Sequence, residues 1–231
     1  MAEKDRCATG IPGFDNLCEG GLIKDSINLI SGNAGAGKTT FLLQFLYNGA
    51  TKFKENGLFV TFEQDKTDLY KSGKLQGMDF EKLEKDGSCE IIKFDPNLTV
   101  KDMQKELIKR ITKNDIKRIC FDPMNIFAID LPKEVSLRKQ LYEFLGLLKN
   151  LEICVIISIE SDEEDTGGKL MVSEGLSFCK YLSDGLIEIY SSGISGSGDR
   201  AIRIKKMRMT KHKRGPVGME ITDSGIKVLK N

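Results

Sequence analysis

The sequence has little histidine, and its cysteines are not paired in metal-binding spacing. His212 is the single histidine, and the six cysteines are scattered without a Cys-x-x-Cys motif. Structural and catalytic zinc sites are built from clustered cysteine and histidine ligands, so this scarcity argues against a zinc site. Cys120 and Cys154 lie inside predicted core strands, where a thiol acts as a small hydrophobic group. Cysteines used in this way are typical of a reducing compartment, and we expect a cytoplasmic protein.

Long apolar runs and a strong net charge are also lacking. No apolar run is long enough to cross a bilayer, and residues 1–6 are charged, which is unlike a signal peptide, so we expect no membrane partner. The formal net charge of +1 gives no overall field that would favour nucleic acid. The 231 residues are 40% hydrophobic and 30% charged, which is ordinary for a globular protein.

Short apolar runs alternate with amphipathic stretches, a pattern that predicts a mostly parallel sheet covered by helices. The predicted strands are 27–31, 58–63, 89–94, 117–122 and 153–159. The predicted helices are 39–53, 65–75, 79–85, 100–113 and 134–149. After residue 184, strand-like segments joined by turns that contain glycine predict an antiparallel end to the sheet, at 186–190, 201–209, 219–222 and 226–229. No long linker divides the chain, so we expect one α/β domain over residues 1–231.

A complete phosphate-binding loop, Gly-x-x-x-x-Gly-Lys-Thr, occupies residues 32–39. It follows an apolar strand and precedes a helix, which is the context in which this pattern binds a nucleoside triphosphate. Lys38 supplies a positive charge for the β- and γ-phosphates, and the hydroxyl of Thr39 can bind Mg²⁺. The N-terminal end of the following helix also faces the phosphates. The predicted contacts are Gly32, Asn33, Ala34, Gly35, Ala36, Gly37, Lys38, Thr39 and Thr40.

Two acidic residues stand at the carboxyl ends of predicted strands, where an open parallel sheet collects its ligand-binding groups. Glu63 could orient and deprotonate the water that attacks the γ-phosphate, or it could be a solvated acid at a strand end, and its spacing does not decide between the two. Asp122 ends the apolar strand 119–121 and is the predicted second ligand of Mg²⁺, commonly through water. Pro123 then ends the strand.

Two segments carry a strong local charge. A basic segment holds seven cations: Arg203, Lys205, Lys206, Arg208, Lys211, Lys213 and Arg214. These residues could form a nucleic-acid patch, a solvated strand edge, or a group that reaches the phosphates of a neighbouring subunit. The acidic run 160–165 is predicted to be a mobile, solvated loop that would repel a phosphate backbone.

Four further segments are distinctive: the entry segment 9–22, the first helix 41–50, the basic strand 203–212 and the Ile-Thr-Asp-Ser-Gly-Ile segment at 221–226. Through them, nearly the whole chain resembles the KaiC-like branch of the RecA-type ATPases. It implies a RecA-like P-loop NTPase core, with a mostly parallel sheet flanked by helices and antiparallel C-terminal strands. It also implies that the chain is a single KaiC-like ATPase domain.

The resemblance implies roles for particular residues. Glu63 and Lys38 would be catalytic, while Lys206 and Arg208 would act in trans on the γ-phosphate of a neighbouring subunit. Gly77 and Met78 would flank the adenine, with Met78 replacing an aromatic residue. Further contacts to the neighbour's nucleotide are implied for Thr210, His212, Thr222 and Asp223.

The resemblance therefore predicts an ATPase that uses ATP and Mg²⁺ and has its nucleotide sites at subunit interfaces. The expected assembly is a homo-oligomer, and a hexamer is the form that the family commonly adopts. Gln64 stands where the family often has a second glutamate, and Met209 stands where it often has glycine. Because Gln64 leaves the site with one of these two glutamates, one alternative function is a nucleotide-gated signalling scaffold with little ATP turnover. A recombinase-like DNA-binding ATPase is the other alternative. Such an ATPase would bind DNA with the loop 124–139, which carries charges of both signs, and with the loop after the fifth strand. The second of these loops is acidic and would repel DNA, which disfavours this alternative.

Overall fold

A nine-stranded sheet forms the centre of the molecule. The structure, a computed structural model, describes residues 5–95, 98–124, 134–163, 170–171, 178–191 and 199–229. The strands of the central sheet are β3 (Ile27–Gly32), β4 (Asn56–Thr61), β5 (Cys89–Lys93), β6 (Ile116–Asp122), β7 (Cys154–Glu160), β10 (Gly185–Ser191), β11 (Arg200–Met207), β12 (Val217–Thr222) and β13 (Gly225–Val228). Two short antiparallel pairs lie outside it: β1 (Arg6–Cys7) with β2 (Leu22–Ile23), and β8 (Asp162–Glu163) with β9 (Leu170–Met171).

The strand order confirms the predicted architecture. The order in the large sheet is β13-β12-β11-β10-β3-β7-β6-β4-β5. The six strands from β10 to β5 are parallel to one another, while β11, β12 and β13 are antiparallel to their neighbours. The parallel part places the carboxyl ends of β3, β4, β6 and β7 at one edge of the sheet, where α/β proteins bind their ligands.

The described helices are α1 (Lys38–Asn48), α2 (Lys66–Lys74), α3 (Phe80–Lys85), α4 (Val100–Lys113), α5 (Glu134–Lys149) and α6 (Cys179–Leu182). The predicted helices 100–113 and 134–149 are confirmed. The predicted helix 39–53 is divided, because the α-helical part stops at Asn48 and a π-helical turn continues over Gly49–Phe53. None of the helices in the described part of the chain is long and apolar enough to cross a bilayer.

Apolar residues cover both faces of the sheet and form the two halves of the core. On one face, α1 contributes the fully buried Phe41 and Phe45. On the other face, α4 buries Leu107 and α5 buries Phe144. Each such side chain contributes about 1.5–3 kcal/mol by its removal from water. The sheet is therefore held rigidly between two helical layers, and the groups at its edge are fixed in position.

Three predicted segments differ from the structure. The strand predicted to reach Met209 ends at Met207, because Met209 has a left-handed backbone with φ of +50°, which an extended strand cannot continue. The strand predicted to reach Glu63 ends at Thr61. The acidic run was predicted to be a mobile loop, but Asp162 and Glu163 pair with β9. The rest of that run, 164–165, and most of the loop 124–139 lie outside the described residues.

Candidate functional site

The phosphate-binding loop connects β3 to α1 and requires glycine at two points, at one for its backbone angle and at the other for lack of space. Gly37 precedes α1 with φ of +107°, and a Cβ atom there would lie 2.8 Å from Cδ1 of Ile221. A Cβ atom on Gly32 would lie 2.4 Å from the carbonyl oxygen of Ile189 in β10. The loop is therefore closely surrounded by its own sheet and by β12, and larger residues at either point would displace it.

A cleft of about 310 Å³ lies over this loop. It is lined by Ala34, Gly35, Gly37, Lys38, Thr39 and Thr40 from the loop and α1, by Glu63, Gln64, Asp122, Pro123 and Glu160 from the ends of β4, β6 and β7, and by Ile221 from β12. This volume is at the lower end of the range for small-ligand sites. The structure thus brings the predicted loop residues together with both predicted acids, Glu63 and Asp122.

Three predicted loop contacts do not line the cleft and support it from behind instead. Ala36 is fully buried in the core. The carbonyl oxygens of Gly32 and Asn33 each accept a hydrogen bond of 2.9 Å from Nζ of Lys38. The ammonium group of Lys38 is therefore held at the centre of the loop by the loop's own backbone.

Lys38 lies in a confined electrostatic environment. It is 7% exposed, and its Nζ lies 3.9 Å from a carboxylate oxygen of Glu160. Burial lowers the pKa of Lys38, and the carboxylates of Glu160, Asp122 and Glu63 oppose that shift. The single ammonium group thus faces three acids, and this part of the cleft has an excess of negative groups that a divalent cation would balance.

Asp122 is fixed by two hydroxyl groups from different elements. The hydroxyl of Thr39 donates a 2.7 Å hydrogen bond to one carboxylate oxygen, and the hydroxyl of the fully buried Ser158 donates to the other. Asp122 is itself only 6% exposed. Hydroxyl and carboxylate oxygens are the hard ligands that Mg²⁺ prefers, so the residues present at this position fit that ion. Ser158 was not identified from the sequence.

Glu63 lies two residues beyond the end of β4 and faces the same cleft. Partial burial raises the pKa of Glu63, and the neighbouring carboxylates of Glu160 and Asp122 raise it further. A glutamate with a raised pKa is better matched to accepting a proton near neutral pH than an ordinary solvated glutamate. Its role as the catalytic base stays a prediction.

Glu160 is a cleft residue that sequence reasoning missed. It is the last residue of β7, and it was grouped with the acidic run that follows. The rule that identified Glu63 and Asp122 also applies here, because Glu160 ends a predicted apolar strand. Its side chain is 51% exposed, and one of its carboxylate oxygens lies 3.9 Å from Nζ of Lys38.

The predicted adenine-flanking pair lies apart from this cleft. Gly77 is exposed in a left-handed turn after α2, but Met78 is 3% exposed and packs in the core with Phe80. Its backbone N–H donates to the carbonyl of Gly73, which turns the side chain inward. The structure therefore differs from the expectation that the side chain of Met78 is available to flank a base.

The turn between β12 and β13 follows a residue of β12 that packs against the phosphate-binding loop of its own chain. Thr222 and Asp223 directly follow Ile221, which lines the cleft. The amide of Gln44 in α1 bonds to the backbone N–H and carbonyl of Ile226, and so fastens β13 to the helix after the loop. Thr222 and Asp223 therefore directly follow a residue that lines the cleft of their own chain, and their contact with a neighbour's nucleotide stays a prediction.

Lys206 and Arg208 lie at the opposite end of the sheet. Met207 is paired with Gly185, which is paired with Asn28 near the start of β3. The phosphate-binding loop begins at Gly32, at the other end of that strand. Gly32 lies five residue steps along the strand from Ile27, which is about 17 Å and longer than an arginine side chain. The structure does not bring these two cations to the cleft of their own chain.

Two other members of the basic segment have an acidic partner within the chain, and two polar residues of the same stretch make local contacts. Arg203 and Lys205 both pair with the buried carboxylate of Glu188. Thr210 accepts a hydrogen bond from Arg6 over 2.8 Å and donates one to the carbonyl of Arg208, while Nδ1 of His212 lies 3.1 Å from the carbonyl of Lys213. Arg203 and Lys205 are therefore paired with a buried acid, which reduces the number of cations in the segment that a nucleic acid could use.

Known proteins resemble this chain over most of its length. The family model described as the KaiC ATPase matches residues 7–231. The circadian clock oscillator protein KaiC of Nostoc sp. is 30% identical over 234 residues, which is 97% of this chain and 44% of that protein. KaiC of Parathermosynechococcus lividus is 29% identical over 230 residues, which is 95% of this chain and 41% of that protein. The chain thus spans less than half the length of these relatives.

Among solved structures, a KaiC-like protein of the hyperthermophilic archaeon Pyrococcus horikoshii OT3 is similar over the whole fold. The two share a TM-score of 0.87 and 30% sequence identity, and the match covers 99% of this chain and 100% of that one.

Proposed function

Because this chain belongs to the KaiC ATPase family, we propose that it binds ATP with Mg²⁺ and hydrolyses the γ-phosphate bond at sites shared between subunits of a homo-oligomer. The observation that carries this proposal is the convergence of Lys38, Thr39, Asp122 and Glu63 on one cleft. These residues come from the loop and from the ends of two strands, and together they supply each group that phosphoryl transfer to water needs within one subunit.

Each residue has a separate part in the proposed reaction. Lys38 and the loop N–H groups bind the β- and γ-phosphates, and Thr39 and Asp122 are the residues that would hold Mg²⁺. The ion, when bound, neutralises charge that develops on the phosphates. Glu63 orients a water molecule and takes its proton as the water oxygen attacks phosphorus, and ADP leaves.

The positive charge that completes the site comes from a second subunit in this proposal. Arg208 lies at the end of the sheet away from its own loop, and its side chain is 46% exposed. An arginine that cannot reach the nucleotide of its own chain is available to a neighbour, and such arginines accelerate phosphoryl transfer by about 10³-fold or more. The assembly we propose is a homo-oligomer, with six subunits as the number that the family resemblance implies.

Mixing two inactive variants tests both parts of the proposal. Glu63→Gln removes the base but leaves Arg208 intact, and Arg208→Ala does the reverse. Subunit exchange between them creates interfaces with an intact Glu63 and an intact Arg208, so ATPase activity should return. Arg214→Ala, which removes an exposed cation of the same basic segment, serves as the control and should stay active.

The outcomes separate the alternatives. Mixed oligomers that remain inactive would contradict a shared site. A wild-type protein that binds ATP but does not turn it over would favour the signalling scaffold instead.

A further inference from the structure

The guanidinium group of Arg208 is held by two acceptors of its own chain. Its Nη1 donates to Oδ1 of Asp184 over 3.2 Å, and its Nη2 donates to the carbonyl oxygen of Tyr181 over 3.3 Å. The backbone N–H of Arg208 also donates to the carbonyl of Asp184 over 2.9 Å. Arginine has five N–H donors, so three remain for another group. Each terminal nitrogen of the guanidinium group thus has one acceptor in its own chain, while the remaining donors stay available.

Lys206 is held differently, because its donors are all used. Its Nζ donates to the backbone carbonyls of Ser183, Lys180 and Tyr181 at 2.6, 3.1 and 3.4 Å. An ammonium group has three N–H donors, and these carbonyls take all three. We call the three oxygens the α6 carbonyl cluster, since they stand at the C-terminal end of that short helix. A cation is favourable there because the end of a helix presents unpaired carbonyl groups.

Asp184 is itself fixed to the strand that leads to the phosphate-binding loop. Its Oδ2 accepts a 3.1 Å hydrogen bond from the N–H of Ile27, the first residue of β3, and its own N–H donates to the carbonyl of Ile27 over 2.7 Å. Its Oδ1 is shared between Arg208 and Nζ of Lys149, which lies 3.1 Å away. The side chain is 11% exposed, so this carboxylate has a defined position.

We propose that Asp184 is a positioning residue for Arg208, and that Lys206 holds the α6 carbonyl cluster in place rather than acting as a second trans-acting cation. The inference rests on the proposed function, since it concerns the cation that one subunit presents to the next. It divides the Lys-x-Arg pair into one residue that reaches the neighbouring phosphate and one that supports it from within the chain.

The charges around Asp184 agree with separate roles for Lys206 and Arg208. Lys206 is partly buried, and this burial together with the nearby Arg208 lowers its pKa, against the opposing effect of Asp184. Asp184 offsets the repulsion among Lys149, Lys206 and Arg208, which otherwise places three cations near each other. Without its carboxylate, Arg208 loses its charged acceptor and is free to adopt other rotamers.

The first test is a kinetic comparison of two carboxylate-to-amide variants in the full chain. Asp184→Asn keeps the size of the side chain and an oxygen that can accept from Ile27, but it removes the charge that holds Arg208. We expect the kcat for ATP to fall by about 10- to 100-fold, the size of one charge-assisted hydrogen bond, while the Kd for Mg²⁺–ATP stays unchanged. Glu188→Gln is the matched control, because Glu188 is also buried on the same sheet and pairs with Arg203 and Lys205 instead.

Mixing experiments then assign Asp184 to one side of the shared site. An oligomer of Asp184→Asn and Glu63→Gln chains should regain activity, because the Glu63→Gln chain supplies a properly held Arg208. The same recovery is expected for the mixture of Arg208→Ala with Glu63→Gln. A mixture of Asp184→Asn and Arg208→Ala should regain none, because both defects lie on the same side. A protein that was merely destabilised by Asp184→Asn would show no such selectivity.

The neutral variant Lys206→Gln tests the second half of the inference. An amide can still donate to the α6 carbonyl cluster but carries no charge, so we expect a smaller loss of kcat than in Arg208→Ala. An equal loss would identify Lys206 as a charge donor and overturn its supporting role.

Three outcomes would overturn the role of Asp184. They are a wild-type kcat in Asp184→Asn, an increased kcat, which would mean that Asp184 restrains Arg208 in an inactive position, and recovery in the mixture with Arg208→Ala. Failure of the proposed function looks different, because then the wild-type protein itself shows no turnover that depends on Glu63 and Arg208.

Discussion

The hydroxyl of Thr39 donates a hydrogen bond of 2.7 Å to the carboxylate of Asp122. Thr39 lies in the first turn of α1, and Asp122 is the last residue of β6, two strands away from β3 in the sheet. Ser158 from the intervening strand β7 donates to the other oxygen of the same carboxylate. Three elements therefore meet at one acid, and the two proposed ligands of Mg²⁺ are already in contact.

Asp122→Asn should weaken the response to Mg²⁺ more than the binding of the nucleotide itself. The amide keeps the volume of a side chain that is 6% exposed, but it removes the negative charge that faces the ion. We expect the gain in ATP affinity that Mg²⁺ gives the wild-type protein to fall by at least about 10-fold, while affinity in the presence of EDTA stays near that of the wild type. Calorimetric titration with and without Mg²⁺ measures both quantities. An unchanged Mg²⁺ response would remove Asp122 from the metal site.

Lys38→Ala should abolish measurable ATP binding whether or not Mg²⁺ is present. The variant removes the one loop cation, whose charged hydrogen bonds to phosphate contribute about 1.5–3 kcal/mol each, so affinity should fall by at least ~10²-fold. Lys24→Ala is the control, since Lys24 is exposed and pairs with Asp5 before the start of β3. Titration of both variants with ATP should separate them, and retained affinity in Lys38→Ala would show that the loop does not bind phosphate.

Glu63→Gln should bind Mg²⁺–ATP normally and hydrolyse it at least ~10²-fold more slowly, which is the usual loss when a general base is removed. Gln64→Glu is an informative companion, because it restores a second carboxylate beside Glu63 in the same cleft. Phosphate release under saturating ATP measures the turnover of both. Turnover that survives in Glu63→Gln would mean that another group activates the water.

Turnover should fall on acidification at a higher pH than an ordinary glutamate would give. Burial, Glu160 and Asp122 raise the pKa of Glu63, and a general base must be deprotonated to act, so the rate is lost as the pH falls through that raised pKa. Glu160→Gln removes one of the carboxylates that raise it, and the acidic limb of the kcat profile should move to lower pH. Glu188→Gln, at a carboxylate outside the cleft, should leave the limb in place.

Met209→Gly should stabilise the protein. A non-glycine residue with φ of +50° carries a strain of about 1–2 kcal/mol, which glycine would relieve. Glycine also has a larger entropy in the unfolded state, which offsets part of this stabilisation, so the free energy of unfolding should rise by about 0.5–1 kcal/mol. Met209→Ala removes the side chain but retains the Cβ atom and its strain, so it should bring no such gain. Urea denaturation of the three proteins measures the difference, and equal midpoints would show that the turn is not strained.

Much of the fold was predictable because local patterns and tertiary contacts agree. The helix 100–113 has Thr99 at its N-cap, with its hydroxyl accepting from the N–H of Asp102, and buries Met103, Leu107 and Ile111 at spacings of four residues. The end of the first helix was not predictable, since the π-helical turn at Gly49–Phe53 keeps the same apolar side as the helix before it. The left-handed backbone at Met209 gave no signal, because methionine is not a residue that favours it.

In the candidate site too, the features set by local sequence were predictable, and those set by distant contacts were not. The loop, Glu63 and Asp122 follow from motif and strand-end position, which are properties of short segments. Glu160 was obscured by the acids that follow it, and the burial of Met78 depends on how the turn after α2 closes. The contacts of Lys206 were also unpredictable, since its acceptors lie 23 to 26 residues away in the sequence, at the end of a four-residue helix without periodicity.

The distance along β3 between the phosphate-binding loop and Arg208 also has a genetic consequence. If each site takes its loop from one chain and its arginine from the next, a chain that lacks both Glu63 and Arg208 disables two sites, its own and its neighbour's. In an oligomer of mixed composition, the number of intact sites then falls with the square of the wild-type fraction, instead of in proportion to it. Alleles that damage both ends of the sheet should therefore be dominant over the wild-type allele, whereas two alleles that damage opposite ends should complement each other.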